Sequence, residues 1–590
     1  MATAEMHFNT GPQDGLLQDV LRSYFKNIGY TRTAPFSYEL RDVDPVVGAN
    51  LGQNVTFNIP KAADLLGNVD LMIDLKQADT SGITVGSSSG QMPAADAAFW
   101  GWVDHLGYAM IEKMTLQIGT HDIETITGEE MNIQNELMKS DLNTHGYNQI
   151  LKTGRPLVRG HIQATNSTSA PTGVLPYIID ERSDAKDRII AHKAKGATSI
   201  TTKPGKKLCI PLQFFFTKHP SQFFPLAAIA GVNDVRINIK FRPLSELLMC
   251  HGGYTVGAQS GTSDAYPIDA TVAAKDCQLS KIKFDGSAFE RCQLRCAYVH
   301  VTGPEATSLM NSEHVRLMKM WSGNHISKQF IVTCNAAGSA QTLDLDLSFL
   351  HPVTELIITI RKVSDMGGDT TNTHAIGQVG TATKAAANTA QTKNYFAYHG
   401  NGKDPNPESV DECIDMATAA DTDLDHAKPT TIKVKNFVLK LNGQTKHLDG
   451  QGVDREYLMD RWMPQLHSNT SEKWTDLMET IIESNPKGVN SAGDWHDNNH
   501  ELVMALKTLG RQYDRKEIYS YPFSLAPEGQ NPAGHLNFSK VSHAKLSIAI
   551  DGIAPSAGTT TATDEYQVDV HGIYYNWLTI KDGRGMLSFA

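Results

Sequence analysis

The chain of 590 residues is too long for a single hydrophobic core, so two domains of similar size are expected. Its composition, 40% hydrophobic, 20% charged and rich in glycine, suits many short strands joined by turns and argues against a helical bundle. With 64 acidic against 53 basic residues the formal net charge is −11, which excludes a surface built to wrap nucleic acid through its phosphates.

No basic stretch followed by an apolar run opens the chain, and nowhere do 18 apolar residues run together. Neither export by a signal peptide nor a membrane-spanning helix is expected. In an N-terminal arm, 1–34, Leu16, Leu17, Val20, Leu21, Tyr24 and Phe25 recur at helical spacing with Gln18, Asp19, Arg22 and Ser23 between them, which predicts one short amphipathic helix. After it the period becomes two. Met114, Leu116 and Ile118 alternate with polar residues, as do Val235, Ile237, Ile239 and Phe241, and further on Leu343, Leu345, Leu347 and Phe349, then Leu546, Ile548 and Ile550. Half-buried antiparallel strands give this pattern. Stretches poor in large apolar residues separate them, roughly 78–97, 160–205, 250–276 and, longest, 364–430. Loops of that length are expected to be projections or contact surfaces.

The halves resemble each other. Met114-Thr-Leu-Gln-Ile-Gly119 leads to Thr127-Gly-Glu129, and Phe437-Val-Leu-Lys-Leu-Asn-Gly443 leads to Asp449-Gly-Gln-Gly452; Ile210-Pro211 precedes the Val235 strand as Tyr521-Pro522 precedes the Leu546 strand. Two copies of one β-domain explain the nearly constant offset. The expected fold is all-β: two tandem eight-stranded jelly rolls with a short N-terminal helix and long loop insertions. Expected limits are 35–245 for the first roll, 246–285 for a linker and 286–590 for the second.

Patterns that carry chemistry elsewhere lack their context here. Gly86-Ser-Ser-Ser-Gly90 fits a nucleophile elbow only as letters, since it sits in a Gly/Ser run without a strand before it and a helix after it. His496 and His500 are one helical turn apart but lack the glutamate of a metalloprotease. Asp421, Asp423 and Asp425 begin like a calcium loop, yet His426 and Ile432 stand where Gly and a bidentate Glu are needed. Cys209, Cys250, Cys277, Cys292, Cys296, Cys334 and Cys413 form no Cys-x-x-Cys pair, so reduced thiols are expected, with Cys292 and Cys296 on one face of a strand. Sequons such as Asn54-Val-Thr56 are read as chance matches. No phosphate-binding glycine loop occurs. No catalytic residue, metal or cofactor is assigned.

Several segments resemble the major capsid proteins of nucleocytoplasmic large DNA viruses, iridovirus-like and algal-virus-like capsids among them. They are Pro35-Phe-Ser-Tyr-Glu39, Val55-Thr-Phe-Asn-Ile-Pro60, Leu71-Met-Ile-Asp-Leu75, Leu106-Gly-Tyr-Ala-Met-Ile111 and Pro211-Leu-Gln-Phe-Phe-Phe216 with Phe224-Pro-Leu226. The second half is similar in Phe349-Leu-His-Pro-Val-Thr-Glu-Leu-Ile357, Leu439-Lys-Leu-Asn-Gly443, Tyr521-Pro-Phe-Ser-Leu-Ala-Pro527, Pro532-Ala-Gly-His-Leu-Asn-Phe-Ser539, Tyr574-Tyr-Asn-Trp-Leu578 and Asp582-Gly-Arg-Gly-Met-Leu-Ser-Phe589. The loops 160–205 and 364–430 match no fixed pattern, and Arg584 departs from a turn that usually carries smaller residues.

The resemblance implies two jelly rolls side by side, three chains in a pseudo-hexagonal homotrimer, and trimers tiling the icosahedral shell of a large double-stranded DNA virus. Partners would be further copies of the chain, minor capsid and penton proteins, and an internal membrane, without direct nucleic-acid binding; the place would be the virion, with synthesis and assembly in host cytoplasm. The helix of Leu16 to Phe25 would lie beneath the shell against a neighbour or membrane, or else cap its own domain. The 364–430 loop would project outward or toward a trimer neighbour, or else be an excursion without a partner. Two rivals remain. A penton, spike-type or carbohydrate-binding β-sandwich would show an exposed aromatic platform on a single roll, and a jelly-roll hydrolase would need three convergent metal ligands.

Overall fold

The computed structural model describes residues 36–85, 98–138, 158–160, 177–179, 189–193, 198–251, 281–333, 341–363, 395–398, 433–446, 452–467, 518–551 and 563–589, apart from positions 104, 230–232, 324, 397 and 530. The first half contains β1 (Phe36–Val43), β2 (Asn54–Ile59), β3 (Leu65–Leu75), β4 (Ala98–Trp102), β5 (Ile111–Ile118), β6 (His121–Thr127), helix α1 (Gly128–Met138), β7 (Ile189–Lys193), β8 (Thr201–Thr202), β9 (Lys207–Pro211), β10 (Val235–Phe241), β11 (Leu248–His251) and β12 (Phe289–Val301). The second contains helix α2 (Gly303–Asn311), β13 (His314–Trp321), β14 (Ile326–Thr333), β15 (Gln341–Leu347), β16 (Pro352–Lys362), β17 (Lys433–Leu441), β18 (Gln444–Thr445), β19 (Val453–Asp454), β20 (Ile518–Pro522), β21 (Ala544–Asp551), β22 (Thr563–Lys581) and β23 (Arg584–Leu587).

The wiring is the same twice. The first half pairs in the orders β1-β12-β3-β9 and β2-β10-β5-β6, the second in the orders β13-β22-β16-β20 and β15-β21-β17-β18. With the eight strands of each half numbered along the chain, both read 1-8-3-6 and 2-7-4-5, the two facing sheets of a jelly roll. β14 continues β13 along the same side of β22, Ile326 lying opposite Val570 and Thr333 opposite Thr563. The repeated sequence segments fall on equivalent strands. Met114 and Phe437 lie on the fourth, Pro211 and Pro522 close the sixth, and Val235 and Leu546 lie on the seventh. After the fifth strand each half turns helical, as α1 in one and as Tyr457–Leu466 in the other.

Alternation builds the cores. Along β10 Val235, Ile237, Ile239 and Phe241 are buried while Lys240 is exposed, and along β15 Leu343, Leu345 and Leu347 are buried between exposed Thr342, Asp344 and Asp346. Each large apolar side chain so enclosed contributes roughly 1.5–3 kcal/mol.

Two expectations need correction. The boundary at 285/286 comes too early, because β12 lies between β1 and β3, with Phe36 opposite Val301 and Leu294 opposite Leu71, and supplies the eighth strand of the first roll. The roll cannot close without it, so the first domain runs to about residue 301. Nor are the linker 246–285 and the loop 160–205 wholly loop. In an antiparallel roll the third, fifth and seventh connections leave from the same end. Those connections carry β4, β7 with β8, and β11, which pair there as a separate sheet in the order β8-β7-β4-β11. Trp100 and Ala191, directly opposed, are fully buried in it.

Where the chain returns to start β9, Gly205 crosses the end of β3 so closely that a Cβ would stand 1.8 Å from the carbonyl oxygen of Leu75. Gly48 has no atom within 4 Å of such a position. Gly205→Ala is therefore expected to cost about 2–3 kcal/mol and visibly lower the melting temperature, whereas Gly48→Ala stays within about 0.5 kcal/mol of the parent; differential scanning fluorimetry on the pair reads the contrast.

Candidate functional site

A chain with two rolls presents one rigid outline only if something fixes them against each other. Packing does the larger part. The core of the first roll continues across the junction into Met318, Met320 and Trp321 of β13, Ile357 of β16, Ile518 of β20 and Ile573, Leu578 and Ile580 of β22. Tyr395, Phe396 and Tyr398 join the same core. The 364–430 stretch was expected to lack core-forming residues; its short aromatic cluster turns inward instead. The Tyr395 hydroxyl donates to Glu246 at 3.2 Å, its ring lies under the Arg242 guanidinium at 4.6 Å, and the Asn132 amide donates to the Tyr398 hydroxyl at 3.4 Å.

A buried ionic cluster adds direction to that packing. Thr127, Glu129 and Glu130 open α1 as a capping box: the Thr127 backbone amide donates to the Glu130 carboxylate at 2.8 Å and the Glu130 amide to the Thr127 hydroxyl at 3.2 Å. This holds Glu129 and Glu130 toward the second roll. Arg361 of β16, 4% exposed, donates to Glu129 at 2.8 Å, to Asp569 of β22 and, at 3.0 Å, to the Tyr395 carbonyl. Burial by itself would raise the Asp569 carboxyl, but Arg361 outweighs it and holds that carboxyl below the usual range. Beside them His571, also buried, meets Glu130 at 3.4 Å. A second cluster lies nearby, where His467 touches Glu355 at 3.2 Å and Glu528 at 3.3 Å, and the Ser520 hydroxyl donates to Glu355 at 2.7 Å. Burial alone would lower the His467 imidazolium; the carboxylates of Glu355 and Glu528 reverse this and lift it to about 9.

The C-terminal hairpin clamps the same seam. Asp582 and Gly583 have φ of 51° and 74°, the left-handed pair of a tight two-residue turn, so β23 folds back on β22 with Arg584 paired to Lys581 at its first rung. The Asn233 amide of the first roll donates to the Gly583 carbonyl at 2.9 Å, and Gly585 sits where a Cβ would come within 2.6 Å of Ile118. The glycines of Asp582-Gly-Arg-Gly585 thus serve contact between the rolls, and Arg584 points to solvent without disturbing the turn.

The sequence-predicted helix, Leu16, Leu17, Val20, Leu21, Tyr24 and Phe25, lies outside the described residues, as do Gly86–Gly90, Asp421–Asp425 and His496–His500. Cys292 and Cys296 share the core side of β12, and burial pushes both thiols up to about 12, which suits inert core cysteines. Among the described residues no group of three or more His, Cys, Asp or Glu converges as metal ligands would. Sequence reasoning missed the ionic cluster, although Thr127-x-x-Glu130 is a legible capping box and Arg361 ends the buried run Leu356-Ile-Ile-Thr-Ile360, where a charge needs a partner.

Arg361→Met leaves Glu129 and Asp569 enclosed without the guanidinium they share. It is expected to cost about 3–5 kcal/mol in denaturant unfolding, and adding Asp569→Asn should recover part of that loss. The second cluster gives a pH dependence with a definite sign. The raised His467 contributes stability in full below pH 6.5, its ordinary value, and loses it as pH rises toward about 9. Glu124, raised by burial to about 7, works in the same direction below that pH, while Lys319, pulled down to about 8, opposes both only above it. The lowered Glu355 keeps its contribution until pH falls below the carboxylate range. The melting temperature should therefore fall by a few degrees between about pH 6.5 and 8, and His467→Gln should flatten that slope.

Comparison with known proteins places this architecture. Residues 23–300 match the family model described as major capsid protein N-terminus. The chain is 23% identical over 599 residues to the major capsid protein of Phaeocystis pouchetii virus and 21% identical over 631 residues to that of Chrysochromulina ericina virus, with 98% of each partner covered in both cases. Among solved structures, the PBCV-1 virus capsid is similar at 16% identity with a TM-score of 0.52, over 96% of this chain and 100% of that chain. The Faustovirus major capsid protein is similar at 12% identity with a TM-score of 0.51, over 95% and 93%. Along its whole sequence the chain is thus similar to major capsid proteins of large DNA viruses, its N-terminal half matches their family model, and it shares the double jelly-roll fold.

Proposed function

We propose that the chain acts as a shell tile: three copies close into a trimer with a pseudo-hexagonal outline, and trimers pack side by side into the icosahedral capsid of a large double-stranded DNA virus. The observation that carries this reading is the repetition of one strand order in two rolls locked by a common core. Two like domains per chain and three chains give six similar corners from one gene product, which suits near-hexagonal packing. The role is structural rather than catalytic, and the virion is the place of action, with assembly in host cytoplasm.

Exposed apolar residues on the same strand pair of each roll support lateral contacts between copies. On β1, the free edge strand of its sheet, Phe36, Tyr38 and Leu40 share one face at 63%, 54% and 56% exposure. On the second roll Val315 and Met586 flank Thr579 in register, and exposed Trp577 stands two residues along the same face. Singly, such residues are ordinary; grouped on the corresponding sheet of each roll they fit burial by a neighbour. Minor capsid and penton proteins, and a membrane beneath the shell, are the further partners we propose, the N-terminal helix of Leu16 to Phe25 being the segment for the inner side. The net charge of −11 fits a shell that encloses nucleic acid without gripping it.

Multi-angle light scattering on the purified protein tests the tile directly. Three times 64.6 kDa, about 194 kDa, with a hexagonal outline in electron micrographs, is expected, and Tyr38→Lys combined with Trp577→Lys should shift the mass toward the single chain without lowering its melting temperature. A parent protein that stays monomeric at all concentrations contradicts the proposal.

A further inference from the structure

Next to the ionic seam a cavity of about 50 Å³, open to solvent on one side, lies between the two rolls. Lys218, from the connection between β9 and β10, and Lys319 of β13 both line it, one from each roll. Among the described residues neither ammonium makes a hydrogen bond or ion pair; they feel Glu124, Glu355, Glu528 and each other only at longer range. The carboxylates in the wall are already engaged, since Glu355 is held by His467 and Ser520, and Glu528 by His467. Gln222 adds a buried side-chain carbonyl oxygen without a partner, and rotation of that amide would aim its NH2 group the same way.

Lys218 and Lys319 thus line the cavity without a hydrogen-bond acceptor, while the nearby carboxylates are engaged elsewhere, Glu355 and Glu528 with His467 and Glu124 with the Phe215 amide. Two half-buried ammonium groups repelling each other without a hydrogen-bond acceptor are costly. A water molecule can accept from each lysine but cannot cancel the charge. A small anion does both, and the volume admits one of several heavy atoms.

We propose that the cavity between the rolls is a binding site for one small oxyanion per chain, of the phosphate or sulfate class, held by Lys218 and Lys319, one from each roll, and by Gln222. The site joins groups from both rolls, so the bound anion stabilises their side-by-side arrangement. It is independent of the capsid reading, because it rests on the seam within one chain and would exist in a monomer as in a trimer.

Equilibrium dialysis of the full-length protein with radiolabelled inorganic phosphate, at constant ionic strength in chloride, reads the site without any variant. Saturation at one phosphate per chain is expected; binding that never saturates, or none, overturns the proposal. In parallel, the melting temperature of the parent should rise and level off with phosphate or sulfate but not with added chloride. Lys319→Met and Lys218→Met should each weaken phosphate binding roughly tenfold or more, the loss of one charge-assisted contact. In chloride alone Lys319→Met should melt no lower than the parent, since it removes an ammonium without a hydrogen-bond acceptor. A phosphate response of the same size and midpoint in both variants would assign the effect to some other part of the surface and overturn the site.

Discussion

Arg361 can give up its water only where Glu129 and Asp569 are both within reach, and those two carboxylates belong to different rolls. Apolar packing between the domains tolerates small slips and rotations, because Met, Ile and Leu fit one another in many ways. A guanidinium fork does not, since each N–H must find its oxygen at one distance and one angle. Such a buried cluster adds little net stability compared with apolar residues of the same volume, but it penalises every other arrangement by leaving a charge enclosed and unpaired. For a subunit whose outline must be the same in every copy, that selectivity matters more than the stability itself.

The rest of the architecture leads to the same seam from several directions. The capping box at Thr127 and Glu130 orients the start of α1, which presents Glu129; the aromatic cluster at Tyr395 and Tyr398 covers the cluster from the long connection of the second roll; the C-terminal hairpin lays Gly583 and Gly585 against Asn233 and Ile118. Long insertions leave from one end of the first roll, where β4, β7, β8 and β11 make a sheet of their own. Exposed apolar residues lie on β1 of the first roll and on β13 and β22 of the second, strands that hold the first and eighth places of their rolls.

Much of the fold was legible in the sequence because a period of two is a direct record of which face is buried. The strands at Met114, Val235, Leu343 and Leu546 were found that way, and the repeat that pairs Met114 with Phe437 and Pro211 with Pro522 falls on equivalent positions of the two rolls. The end of the first roll was not legible. β12, Phe-Glu-Arg-Cys-Gln-Leu-Arg-Cys-Ala-Tyr-Val-His-Val, reads equally well as the opening strand of a second domain, and only pairing with β1 and β3 assigns it. The extra sheet escaped for a related reason, since its strands are short, lie far apart in sequence and bury residues such as Trp100 and Ala191 through one another. The seam was hidden because its partners, Glu129 and Arg361, are separated by more than 200 positions and charged residues on strands usually face water.

If the two rolls are one body, they unfold as one. Differential scanning calorimetry on the full-length protein, at a concentration where its mass is constant, is the most direct measurement of that claim. A single transition whose calorimetric and van't Hoff enthalpies agree per chain is predicted, because the shared core and the Arg361 cluster cannot be left half-formed. Two separate transitions, or a fragment ending near residue 301 that melts at the temperature of the whole, would contradict it.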